Sequence, residues 1–163
     1  MAKNIWVTSD THFNHSNIIK YCNRPFSTVR EMDEVLIDNW NSVVKQGDKV
    51  YHLGDVYMKA SKGYIEHILH RLNGNKRLIL GNHDNGKDQI LQRYFEKVLM
   101  WRDFKDFNVL LTHVPVHESS IIKNRLNVHG HIHQNPSPKG PYKCVCVEQT
   151  NYTPVNIEDL RVK

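Results

Sequence analysis

Five short stretches of this 163-residue chain carry side chains able to hold a metal: Asp10-Thr11-His12, Gly54-Asp55, Gly81-Asn82-His83-Asp84, His113 and Gly130-His131-Ile132-His133. With His83 and Asp84 set aside, they offer two carboxylates, one amide carbonyl and four imidazoles. Oxygen and nitrogen donors without a thiolate suit Mn²⁺, Fe or Zn²⁺ and argue against a structural zinc clip. Seven ligands exceed what one ion takes. Two ions about 3.5–4 Å apart that share a carboxylate would use them all, and such a pair clamps an in-line phosphoryl transfer. Asp10 and His12, two apart on an extended segment, would point the same way. So would His131 and His133, unless the chain turns at Gly130 and sends them to separate ions. Asn82 can offer a neutral carbonyl oxygen, which leaves its neighbour His83 spare.

These residues need elements to bring them together. Apolar, β-branched runs predict strands at Ile5 to Thr8, Val50 to Leu53, Leu78 to Leu80, Val109 to Thr112, Leu126 to His129 and Lys143 to Val147. Each of the five motifs follows one of the first five runs, and in open α/β sheets ligands bind at the carboxyl ends of strands. Helices alternate with strands in the first half. Thr28 and Glu31 stand at capping-box spacing before Met32, Leu36, Trp40 and Val43 or Val44. A second helix from about Ser61 aligns Ile65, Ile68, Leu69 and Leu72 and stops at Asn73-Gly74. Beyond Glu96 the pattern turns to strands, hairpin-like through Val98 to Trp101, Phe104 and Phe107 to Thr112, so the sheets are expected to be mixed. Pro136 to Pro141 reads as a surface connection. One domain over residues 1–163 is the expectation, given the length and the absence of a linker, repeat or low-complexity tract.

The set D-x-H, GD, GNHD, H and GHxH, in this order, resembles the calcineurin-like metallophosphoesterases, over residues 10 to 133. The opening "SDTHFNH" and the following "NRPF" are most similar to the short, lidless members of bacteria and phages. The resemblance implies a four-layer αββα sandwich with mixed sheets and the metals at one edge. It implies two divalent ions, Mn²⁺ first, with Fe, Zn²⁺ or Ni²⁺ as alternatives. One ion would take Asp10, His12 and His133, the other Asn82, His113 and His131, with Asp55 bridging. A bridging hydroxide would attack phosphorus in a mono- or diester of small or nucleotide type, and the catalytic His83 would assist the leaving oxygen without binding metal. Met58 and Leu80 depart from the family's protein serine/threonine phosphatases, which keep an orienting Asp and a phosphate-gripping Arg there, so a protein phosphatase is a poor fit. Two rivals stand beside this reading: a non-catalytic binding module on the same fold, against which His83 and the full ligand set speak, and a nuclease acting on single-stranded nucleic acid.

Composition bounds the rest. Lys and Arg number 22 against 17 Asp and Glu, a net +5 that suits a phosphorylated small molecule, a nucleotide or single-stranded nucleic acid, yet the charge is scattered. No apolar run reads as a signal peptide or membrane span, so a cytoplasmic location with no membrane or protein partner is the expectation. Three cysteines, with Cys144 and Cys146 alternating along an apparent strand from Tyr142 to Glu148, read as reduced structural thiols. His15 and Arg24, in the loop after Asp10, are candidate substrate contacts, and His117, Lys123 and Arg125 could form another wall. His67 and His70 read as solvent-facing on the second helix, and His52 and His129 as hydrogen-bonded core histidines.

Overall fold

A computed structural model of the chain describes residues 3–58 and 61–161. Strand β1 (Ile5–Thr8) is followed by helices α1 (Ser16–Tyr21) and α2 (Val29–Val43), then β2 (Lys49–His52), α3 (Lys62–Arg71), β3 (Asn75–Ile79), α4 (Gln89–Tyr94) and β4 (Lys97–Leu99). The chain continues through β5 (Trp101–Phe104), β6 (Val109–Thr112), β7 (Leu126–His129), β8 (Tyr142–Cys144) and β9 (Val155–Asn156). Two sheets result, in the orders β4-β3-β2-β1-β9 and β5-β6-β7-β8. The first is parallel except for β9, the second parallel except for β5. Both are mixed, as expected.

Strand alternation explains the layers. On β2 and β3, Val50 and Leu78 point to the helices, where they pack with Met32, Leu36, Trp40, Ile65 and Leu69. Their neighbours Tyr51 and Ile79 point the other way, against Phe104, Val109, Leu111 and Val128 of the second sheet. The helical stripes read from the sequence are those that bury. Thr28 caps α2 by accepting the Glu31 N–H, while the Glu31 carboxylate takes the N–H of Ser27. On the outer face of the second sheet, the last layer of the sandwich is reduced to residues 114–125 with one 3-10 turn (Glu118–Ser120). Asn127 straps it down: Nδ2 donates to Leu110 O and Thr112 Oγ1, and Oδ1 accepts from Val116 N at 3.0 Å.

Several expectations need correcting. The last predicted strand stops at Cys144; Cys146 then bridges to Ser9, and Val147–Gln149 is a 3-10 turn, so the run to Glu148 is not one strand. Val98 to Trp101 is not half a hairpin. Residues 97–99 extend the first sheet in parallel with β3, and the chain crosses at Met100 to begin the second. The stretch after Asp10 contains a helix, α1, rather than only a loop. The three cysteines are buried and unpaired, and residues 136–141 connect β7 to β8 as expected. Among the described residues no helix is long and apolar enough to cross a membrane.

Candidate metal centre

The carboxyl ends of β1, β2, β3, β6 and β7 meet at one edge of the sandwich, and the loops leaving them are stitched together. Asp10 N donates to Gly54 O, His12 N to Asp55 O, and Gly130 N to His113 O. Backbone conformation then aims the side chains. Asp10, His12, Asp55, His131 and His133 all adopt positive φ, between 50° and 71°. Non-glycine residues rarely do so, at a cost of roughly 1–3 kcal/mol each, and such strain gathers where function over-determines the backbone. Asp10 and His12 therefore converge because each sits in a left-handed turn, not because they lie on an extended segment as the spacing suggests. His131 and His133 diverge, the alternative left open by Gly130.

Two clusters form. Asp10, His12 and His133 place ligand atoms within 4.8 Å of one another, and so do Asp55, His113 and His131. Asp55 stands between them: its Oδ2 lies 3.6 Å from His12 Nε2 and 3.6 Å from His113 Nε2. Asn82 joins the second cluster, its Oδ1 2.9 Å from His113 Nε2 and 3.0 Å from His131 Nδ1. Asp10, His12, Asp55 and His113 are buried, whereas Asn82, His83 and His131 are exposed, so the centre opens to solvent on their side.

The clusters have the marks of a cation site. Asp10 Oδ2 accepts from the hydroxyl of Ser9, from His131 N at 2.9 Å and from the Cys146 thiol at 3.3 Å. Its other oxygen, Oδ1, is buried without a hydrogen-bond partner among the described residues, and so is His12 Nε2, 3.8 Å away. Orphaned buried polar atoms are costly and rare. His113 Nδ1 donates to Leu53 O at 2.7 Å, which leaves Nε2 to present a lone pair toward the oxygens of Asp55 and Asn82. Lone pairs facing lone pairs are reconciled by a cation. The turns leave no room for bulk: Gly54 holds φ at 103°, and a Cβ on Gly81 would collide with the Asp55 carboxylate.

Burial alone would raise the Asp10 carboxyl, yet His12, His113, the Ser9 hydroxyl and the His131 N–H hold it well below the usual carboxylate range. Burial opposes charge on His133 as well, but Cys22, Glu148 and Asp10 push it up to about 10.

Residues not read as functional from the sequence complete the surroundings. Glu148 Oε1 bonds His133 Nδ1 at 3.0 Å, and Arg24 grips the same oxygen through Nε and Nη2 at 2.9 and 2.8 Å. Arg24 also donates to Thr11 O and Asp10 O. Its side chain is fully buried, so the expected contact with substrate is replaced by a structural one. His15 does reach the centre: its Nδ1 lies 3.2 Å from His12 Nδ1, and burial lowers its pKa to about 4. Asp84 accepts from the N–H groups of Gly81, Asp55 and Val56, pinning the GNHD turn to the GD turn. Its place three residues after Gly81 is the one local signal that could have shown this, as an Asp closing its own turn. Glu148, Ser9 and Cys146 gave no such signal.

The other histidines fall as read where the described residues speak. His52 is buried, accepts from Gly54 N and bonds Thr11 Oγ1, and burial lowers it to about 3. His129 is buried and bonds Gly130 O and Ser137 Oγ. His67 and His70 are exposed on α3. His117 is exposed and caps the 3-10 turn by accepting Ser119 N, and Arg125 pairs with Asp103. His83 is exposed, its ring 5.8 Å from that of His12, and its backbone N–H donates to Asp55 Oδ1 at 2.9 Å.

Known proteins place this arrangement. An uncharacterized protein of Methanocaldococcus jannaschii is 40% identical over 169 residues, spanning 99% of this chain and 90% of that protein. The gene 66 protein of Mycobacterium phage L5 is 43% identical over 84 residues, half of this chain and 40% of the phage protein. The crystal structure of a protein of unknown function from Aquifex aeolicus is 28% identical, with a TM-score of 0.78 over 98% of each chain. Residues 3–160, which hold all five motifs at their strand ends, match the model of the calcineurin-like phosphoesterases, and the chain belongs to that family.

Proposed function

We propose that the chain hydrolyses phosphate mono- or diesters at a centre of two divalent cations, Mn²⁺ before Fe, Zn²⁺ or Ni²⁺. One observation carries this reading: among the described residues Asp10 Oδ1 and His12 Nε2 are buried without a hydrogen-bond partner on one side of Asp55 Oδ2, and a second ligand cluster stands on its other side. Asp10, His12 and His133 hold one ion, Asn82, His113 and His131 the other, and Asp55 serves both. When bound, such a pair neutralises the phosphoryl oxygens and makes a water acidic enough to attack phosphorus. The chain supplies the rest. Asp55 Oδ1 fixes the backbone of His83, whose exposed imidazole moves a proton to the leaving oxygen. Lys62, Lys87, Asp84 and Asp88 line a groove of about 860 Å³ on the His83 side, suited to a polar arm.

The test is a panel of mononucleotides, cyclic nucleotides, dinucleotides and aryl mono- and diesters, run on metal-stripped protein before and after refilling with Mn²⁺. Turnover should vanish on stripping and return with Mn²⁺, while circular dichroism of the stripped protein stays native-like. Hydrolysis that persists undiminished in metal-free protein would overturn the mechanism. Two bound ions with no ester cleaved would instead mark a binding module.

Glu148 supports the same assignment. A ligand histidine is oriented by the partner of its second nitrogen, and losing that partner costs roughly 10- to 100-fold in metal affinity or activity. Glu148→Gln keeps the shape but removes the charge that Arg24 and His133 share. Titration with Mn²⁺ should show one of two sites weakened by about that factor. Two sites of unaltered affinity would sever Glu148 from the centre.

A further inference from the structure

We propose that the apolar cavity beside Asn82 and His113 seats a planar aromatic group of the substrate, a nucleobase or a phenyl ring, with Trp101 stacking on it. The inference rests on the phosphoesterase reading and names the chemical class that reading leaves open. The cavity holds about 710 Å³, within the usual span of roughly 300–1,000 Å³ for small-molecule sites. Its walls are the outer face of the second sheet and residues 114–125, and its lining is dominated by Leu80, Met100, Trp101, Leu110, Val114 and Ile122.

Four of these side chains are large, apolar and exposed: Met100 at 66%, Trp101 at 63%, Ile122 at 61% and Val114 at 43%. Their exposure follows from the topology. The chain crosses from one sheet to the other at Met100, and the layer that would cover the outer face is only the thin segment strapped by Asn127. A contiguous apolar surface of this kind marks a binding site when something fixes its occupant. Here the cavity is continuous with the metal centre, because Asn82 and His113 belong to both. One molecule can therefore hold its phosphate at the ions and its organic arm in the cavity. The Asp103–Arg125 ion pair in the lining adds a polar edge that a heteroaromatic ring can use. The groove beyond His83 carries Lys62, Lys87, Asp84 and Asp88, so the two arms of a diester meet surfaces of different polarity.

The experiment measures binding apart from turnover. Mn²⁺-loaded protein is titrated by calorimetry with methylphosphonate, benzylphosphonate and the 5′-phosphonate analogue of thymidine monophosphate, whose C–P bonds resist hydrolysis. Both aromatic ligands should bind at least about tenfold more tightly than methylphosphonate, the scale of one ring stacked on an aromatic side chain. A tighter thymidine analogue identifies a nucleobase as the natural group, and parity identifies a simple aryl ring. Trp101→Ala and Ile122→Asp should each erase the preference while methylphosphonate binds as before. Trp40 is buried and Trp6 half-buried, so the quenching that Trp101→Ala removes should report Trp101.

Equal affinity for all three ligands, or a preference that survives both substitutions, overturns the proposal. So does a dimer that Trp101→Ala dissociates in sedimentation, since a second copy would then cover the face. Aromatic preference without any hydrolysis in the ester panel would leave the cavity standing and defeat the catalytic reading. The converse, hydrolysis without preference, would defeat only the cavity.

Discussion

Asp55→Asn should strip the protein of one or both ions and lower turnover on the order of 10³-fold or more, because metal charge is worth several kcal/mol to a phosphoryl transition state. The expectation follows from the position of Asp55 between the two groups of ligand atoms. Asp55 Oδ2 is 3.6 Å from a histidine of each cluster, and Oδ1 holds the His83 N–H at 2.9 Å. An amide of the same shape loses the negative charge and must turn an NH₂ either toward the ions or toward another N–H. Asp84 would still hold the backbone of Asp55 and Val56, so the turn should survive and the defect should be local. Asn82→Ala makes the comparison, since its oxygen lies against His113 and His131 of one cluster and its loss should weaken one site. Elemental analysis of the two variants beside the wild-type protein decides between these outcomes. An Asp55→Asn protein with two ions and full activity would show that the carboxylate does not bridge.

The placement of the centre was legible because each motif directly follows a run that could only be a strand. Ile5 to Thr8, Val109 to Thr112 and Leu126 to His129 are strands with the boundaries their β-branched residues suggest. Order along the chain and a shared sheet edge then brought Asp10, Asp55, Asn82, His113 and His131 together. What stayed hidden depends on distance or on torsion. Arg24 and Glu148 lie 124 residues apart, and nothing local to either announces their pairing. An exposed loop arginine and a buried one are the same letter. The left-handed turns at Asp10 and His12 were equally hidden: aspartate and histidine take that conformation more often than most side chains, but nothing in the sequence says which of them do. Helices α1 and α4, of six residues each, and the two-residue β9 are too short for periodicity to register.

His83→Ala should leave both metals bound yet slow turnover by roughly 10²- to 10⁴-fold, the usual range for losing a general acid. The geometry separates His83 from the ligands around it: it is absent from both clusters, exposed at the surface and held by its backbone rather than its ring to Asp55. The loss should also depend on the leaving group. A nitrophenolate departs without a proton, whereas an alkoxide such as a ribose oxygen needs one. The variant should therefore retain most of its rate on nitrophenyl esters and lose it on nucleotide-type esters. Met58 lines the groove beside His83, in the position where a protein phosphatase would carry an orienting carboxylate. Met58 offers the ring no carboxylate, so in this expectation the acid function would rest on the imidazole itself. Measuring kcat on both ester types, with metal content determined on the same preparations, isolates the step. Equal losses on the two substrates would reduce His83 to a phosphate-binding group, and a fall in bound metal would make it a ligand.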